Sequence, residues 1–192
     1  LIGAAADEKV RPYDGKDSYS LSDGSVSVLM ETVGAATARG AEIYCRITGY
    51  GMSHRSVPFG TVKGSDEGLL RAVEEALADA SVQAEEISAV VGFANGQKEV
   101  DDVEINVLTR VFGEGKIPVV SVKERAGEGR AASAALGLAH GALLLHGDIA
   151  KDADAYLLPS KKKVGVVSSD LNKILVLSYA TGGSYTAVVI EK

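Results

Sequence analysis

Ser121–Asp148 reads SVKERAGEGRAASAALGLAHGALLLHGD, and how its second half can be packed decides the fold. From Ala131 to Leu145 every residue is Ala, Gly or Leu except Ser133 and His140. A helix over this stretch has no polar face, and a helix apolar on every side belongs inside a core. Its own sheet covers one face. The other face, roughly eight residues of apolar surface at about 25 cal/mol per Å², is costly to leave in water. A second layer is therefore expected over it. The chain's own helices at 66–80 and 100–112 are the alternative cover. Each has a polar face, however, which is the pattern of an outer layer. The pattern favours a partner chain that completes the core.

Outward from this stretch, helical and extended patterns alternate. Val26–Glu31 alternates like a strand, and Thr32–Gly40 reads as a short helix ending at glycine. Glu42–Gly51 carries the β-branched and aromatic content of a second strand. Gly60–Gly64 is a loop. Ser65 is placed to cap DEGLLRAVEEALADAS, whose Asp66 and Glu67 suit the positive helix end. Leu69, Leu70, Val73, Ala76 and Leu77 then form an apolar stripe opposite Arg71, Glu74, Glu75 and Asp79. Ile87–Ala94 is nearly all apolar, the mark of a strand buried on both faces. Val100–Phe112 is helical, with Val103, Val107, Leu108 and Val111 inward. Ile117–Val122 is a short strand and Tyr156–Leu158 an edge strand. Lys173–Tyr179 and Ser184–Ile190 form a hairpin about Gly182-Gly183. The expected architecture is α/β, one domain over residues 1–192, with a mixed sheet, a buried Ala/Gly helix and outer helices.

Composition narrows the function. The chain has 192 residues, 46% hydrophobic and 24% charged, with a net charge of −6. That balance excludes nucleic acid as a bulk partner, because a phosphate backbone requires a basic stripe. The basic run Lys161-Lys162-Lys163 reads as a solvated loop. No stretch reaches the ~20 apolar residues of a membrane helix, so no membrane partner is expected. Cys45 is the only cysteine, which rules out an intrachain disulfide and suits a reducing cytoplasm. Its mid-strand position reads as a small core residue. His54, His140 and His146 lack a metal-ligand spacing, so neither metal nor other cofactor is expected. The chain begins at Leu1, from which a cleaved precursor or a longer protein is expected.

Five stretches, in order, resemble the C-terminal half of the β-ketoacyl synthases, which have the thiolase-like fold. RPYDGKDSYSLSDGSVSVLMET (Arg11–Thr32) is similar to the family's Arg-Pro-Phe-Asp segment and the glycine-flanked run into a strand. ARGAEIYCRITGYG continues into the next strand. FANGQKEVDDVEINVLTRVFGE resembles the segment that opens Ala-His-Gly-Thr and proceeds to Asp-x-x-Glu. IPVVSVKERAGEGRAASAALGLAHGALLLHGDI resembles the Ser-x-Lys-x-x-x-Gly-His segment and the helix after it. LSYATGGSYTAVVIEK resembles the terminal hairpin.

The departures define the functional expectation. The family's nucleophilic cysteine belongs to an N-terminal half that this sequence lacks, and Cys45 does not match it. Asn95 stands at the first family histidine and Glu128 at the second, while Lys123 matches the family lysine. Thr181 replaces the phenylalanine that gates the pocket. An amide does not titrate near neutral pH, so Asn95 offers a hydrogen bond but no proton shuttle. An ionised Glu128 only accepts hydrogen bonds and repels a developing anion. Beside Lys123 it would neutralise itself as an internal ion pair.

The resemblance therefore implies a non-catalytic subunit of the chain-length-factor type in a polyketide or fatty acid synthase. Its partners would be a separate N-terminal half, an active ketosynthase and an acyl carrier protein. Thr181 and Asn95 would line the acyl site, with no catalytic residue in this chain. The alternative is an acyltransferase or hydrolase half that uses Glu128 with a cysteine from a partner chain.

Overall fold

A computed structural model describes residues 9–58, 61–62, 65–149, 154–165 and 171–192. The helix α1 (Val33–Ala38) starts where Thr32 Oγ1 accepts the Ala35 N–H at 3.2 Å. Strand β1 (Arg46–His54) begins four residues later than the sequence pattern suggests, where pairing with a neighbour starts. Val26–Glu31, expected as a strand, forms none. A strand exists through its ladder, and this stretch has no paired neighbour among the described residues. Leu29 and Met30 stay 77% and 66% exposed.

Helix α2 (Asp66–Ala80) follows its predicted stripe, with Leu69, Val73 and Ala76 fully buried. Each large apolar side chain buried in this way contributes about 1.5–3 kcal/mol. Ser65 occupies the cap position but caps nothing. Its hydroxyl donates to Val62 O and accepts from Tyr185 O–H, so tertiary contacts claim it. Strand β2 (Ala89–Val91), helix α3 (Lys98–Phe112), strand β3 (Pro118–Val120) and the single-turn helix α4 (Lys123–Ala126) follow. The Ala/Gly stretch is helix α5 (Ser133–His146), and β4 (Asp154–Leu157), β5 (Lys162–Gly165), β6 (Lys173–Ala180) and β7 (Ser184–Glu191) complete the chain.

The strands form one seven-stranded mixed sheet in the order β1-β7-β6-β2-β3-β4-β5. The central trio β6, β2 and β3 is parallel and the flanking pairs are antiparallel. The 156–158 segment is therefore not an edge strand. Tyr156 and Leu157 lie in β4, Leu158 follows it, and β5 outside it takes up two of the three lysines expected in a loop. Lysines suit an edge strand because their charge discourages further pairing. Of the expected 60–64 loop, Gly60, Lys63 and Gly64 lie outside the described residues.

Side chains alternate between two cores, as strand geometry requires. Val90, Val119, Leu175 and Leu177 face α2 and α3. Val91, Val120, Ile174 and Val176 face α5. Gly137, Gly141, Leu144 and Leu145 bring α5 onto the sheet. A Cβ on Gly141 would stand 2.9 Å from Ile190 Cδ1 and 3.2 Å from Val176 Cγ2, so any larger residue here requires those side-chain ends to shift. On the opposite flank Ala135, Ala139, Ala142 and Leu143 are half-buried. α2 and α3 lie against the other face of the sheet, so they cannot be the cover for α5.

Candidate functional site

Because β6, β2 and β3 run parallel, their C-terminal ends meet at one edge of the sheet. Open α/β sheets bind ligands at such an edge. The loop after β2 carries Asn95, α4 beyond β3 begins with Lys123, and the β6–β7 turn carries Thr181. Glu128 follows α4 on a loop tied to an earlier segment. Its N–H donates to Ser20 O at 2.9 Å and its carbonyl accepts from Ser22 N–H at 3.1 Å. Together these residues line a cavity of ≈ 240 Å³ that also includes Tyr19 and Tyr179.

The sequence-predicted residues do come together. Lys123 Nζ lies 2.8 Å from Glu128 Oε2 and 2.8 Å from Phe93 O. Asn95 Nδ2 donates to Glu128 Oε2 at 3.2 Å and to Gln97 Oε1 at 3.1 Å. Both amide hydrogens of Asn95 are thus engaged within the chain, including the one it was expected to offer. Glu128 Oε1 accepts from Arg130 N–H at 2.7 Å and Ser133 O–H at 2.5 Å. Burial pushes the Glu128 carboxyl up. The Lys123 charge and these hydrogen bonds outweigh it and hold the group below its usual range. Lys123 also sits 5.9 Å from the Tyr179 ring centroid. Burial, with the Glu128 charge second, raises the Tyr179 phenol, so Tyr179 stays protonated. Thr181 is exposed at the rim.

Below this site lies a support that the sequence reading did not assign. Asp101 and Glu104 point from α3 into the core, 2% and 0% exposed. Glu104 accepts from Phe93 N–H and Ala94 N–H, both at 2.8 Å, and from Tyr13 O–H at 3.0 Å. Asp101 accepts from Tyr13 N–H at 2.6 Å and from the N–H groups of Asn95 and Gly96 at 3.2 Å. Two carboxylates therefore fix the backbone that presents Asn95. Burial pushes Asp101 up to about 7 and also raises Glu104, against the pull of these donors. The available signal was Glu104 itself, an acid four residues from Val100 and three from Val107, inside the apolar stripe of α3.

The remaining singled-out residues lie elsewhere. Cys45 packs half-buried against the α5 core just before β1, where burial raises its thiol. His54 ends β1, with Nδ1 3.0 Å from Ser184 Oγ. His140 is pushed down to about 4 by burial and is neutral, while exposed His146 lies between Glu42 and Asp148. Among the described residues no cluster of His, Cys, Asp or Glu could hold a metal ion. Among them, too, no helix is long and apolar enough to cross a membrane.

Known proteins resemble this chain in sequence and fold. The sequence model described as "Beta-ketoacyl synthase, C-terminal domain" matches residues 44–153. A 3-oxoacyl-[acyl-carrier-protein] synthase 2 of Rhizobium meliloti is 28% identical over 95% of the chain and 45% of its own length. The tetracenomycin polyketide synthase ketoacyl synthase beta subunit of Streptomyces glaucescens is 33% identical over 67% of the chain and 31% of its own length. The ishigamide ketosynthase/chain length factor superimposes with a TM-score of 0.82 at 25% identity, over 99% of the chain and 48% of that structure. The chain spans less than half the length of these relatives.

Proposed function

The chain belongs to the β-ketoacyl synthase C-terminal domain family, and on that premise we propose that it is a non-catalytic, chain-length-factor-type part of a polyketide or fatty acid synthase. Residues 1–192 act as one domain. They contribute to a heterodimer interface and to the acyl cavity beside an active ketosynthase that works with an acyl carrier protein. A complementary N-terminal half supplies the layer over the half-buried flank of α5.

One observation carries this reading. At the two positions where the family resemblance expects histidines, Asn95 donates to Glu128, and Glu128 also accepts from Lys123. Neither presents a free proton donor to the cavity. A buried, ionised carboxylate paired to a lysine is no general acid, and it disfavours an oxyanion beside it. Such a set stabilises the loops around a cavity without doing chemistry in it.

The test is Glu128→Gln in the assembled synthase, read by native mass spectrometry and by product formation. The proposal expects activity to follow assembly: where the complex persists, turnover persists. A loss of about two decades in turnover with assembly intact marks Glu128 as catalytic instead. A chain that forms no complex with any ketosynthase subunit overturns the assembly part.

A further inference from the structure

Lys123, Asn95 and Glu128 bring an amine, a carboxamide and a carboxylate into one cluster, with the three residues only 4%, 1% and 6% exposed. A single atom, Glu128 Oε2, accepts from both nitrogens, from Lys123 Nζ at 2.8 Å and from Asn95 Nδ2 at 3.2 Å. Nζ also donates to Phe93 O at 2.8 Å, two residues before the carboxamide. The amine and the amide thus lie side by side on one carboxylate oxygen. The amide's own oxygen, Asn95 Oδ1, accepts from Gln97 N–H at 3.1 Å. That donor polarises the carbonyl and stands ready to hold negative charge on it.

An ammonium is no nucleophile, but its proton has only the 2.8 Å to Glu128 Oε2 to cross. That transfer turns an ion pair into a neutral pair. Burial acts against the Glu128 charge and so favours the transfer. Lys123 and the hydrogen bonds on Glu128 still keep the charged pair the major form. The amine is therefore neutral for a fraction of the time, and its reactions are slow. The usual competitor for an asparagine side chain before glycine is the next backbone nitrogen. Here Gly96 N–H is bound to Asp101 Oδ1 at 3.2 Å, which holds that nitrogen away from the carboxamide.

We propose that Lys123 and Asn95 join in an intramolecular isopeptide bond, made by the chain on itself with Glu128 as the proton relay. Glu128 Oε2 takes one proton from Lys123. The Nζ lone pair attacks Asn95 Cγ and a C–N bond forms, while Gln97 N–H stabilises the oxygen as it gains charge. Glu128 passes its proton to Nδ2, the Cγ–Nδ2 bond breaks and ammonia leaves. Glu128 then takes the surplus proton from Nζ and hands it to the ammonia. A lysine ammonium and a carboxamide become a secondary amide and an ammonium ion, with no oxidant or co-reactant. The contacts described above are those of the chain before the bond forms. The link ties the loop after β2 to the start of α4, and like a disulfide it stabilises by restricting the unfolded chain.

The test is mass spectrometry of the chain as its cells produce it, alone or in whatever complex it forms. The intact mass is read under denaturing conditions, before and after the native sample is incubated at neutral pH. The chain is expected to be lighter than its sequence by one ammonia, in a fraction that grows with time. Trypsin should release a branched peptide joining Asn95 to Lys123, with no cleavage after Lys123. Lys123→Arg keeps a cation beside Glu128 but no nucleophilic amine, and should keep its full mass. Glu128→Gln should form the link about a hundredfold more slowly, the low end of what a positioned proton carrier contributes. The branched peptide of the native chain decides by itself if either variant does not fold. A native chain that stays at its full mass overturns the proposal. So does ammonia loss without a branched peptide, the mark of a succinimide at Asn95-Gly96, or a loss that persists in Lys123→Arg. Linking at the native rate in Glu128→Gln overturns the relay. None of these readouts depends on a ketosynthase partner, so failure here leaves the proposed function standing.

Discussion

Lys123 Nζ sits 2.8 Å from Glu128 Oε2, with the two side chains only 5% and 8% exposed. A pair so far from solvent is tightly interdependent, since losing one partner leaves the other charge buried and uncompensated. Lys123→Met is expected to destabilise the fold by about 3–5 kcal/mol. The Lys123→Met/Glu128→Met double substitution should recover a large part of that loss. Urea denaturation of the singles and the double, read as a double-mutant cycle, measures the coupling. Additive losses would mean that the pair contributes nothing as a pair.

The acids around Asn95 give stability an uneven dependence on pH. Asp101 titrates at about 7 in the fold, against an ordinary 3.8, and Glu104 is also raised. The folded state therefore binds more protons than the unfolded state in that range, and stability rises as the pH falls from 8 towards 5. Glu128 has the opposite sign. Its lowered carboxyl contributes stability above its ordinary 4.5, which is lost as the pH falls below that value through its folded range. Urea midpoints across pH 4–8 should pass through a maximum on the acid side of neutrality. Asp101→Asn should flatten the limb between pH 5 and 8, and Glu128→Gln the limb at lower pH.

Tyr13 ties the N-terminal segment to the support beneath the site through a buried hydroxyl on Glu104. Tyr13→Phe leaves a fully buried carboxylate short of one donor. The expected cost is about 1.5–3 kcal/mol, typical of a hydrogen bond to a charged group. Amide exchange at Phe93 and Ala94, whose N–H groups share that carboxylate, should quicken in the same variant.

β1 and α2 pack backbone to backbone at Gly51. A Cβ there would stand 2.1 Å from Ala72 O and 2.6 Å from Ala76 N. Neither atom can move without displacing the helix. Gly51→Ala should therefore cost at least the ~1–3 kcal/mol of an overpacked core, visible as a lower melting temperature. An unchanged melting temperature would show that α2 lifts off the sheet at little cost.

What the sequence determined is local and periodic. The 3.6-residue stripes of α2 and α3, the unbroken apolar run of α5 and the glycine turn between β6 and β7 are set by side chains close in the chain. At the site, the family resemblance supplied the expectation that Asn95 and Glu128 stand where histidines are usual, and residue type adds that neither an amide nor an ionised carboxylate titrates as an imidazole does. The tertiary structure decided whatever depends on distant partners. Val26–Glu31 has the side chains of a strand but no paired neighbour among the described residues, and Ser65 has the identity of a cap but gives its hydroxyl to Val62 and Tyr185. The Tyr13–Asp101 bond joins residues 88 apart in the chain, a contact that no local pattern encodes. It exists only once burial makes an unpaired N–H and an unpaired carboxylate too costly to leave apart.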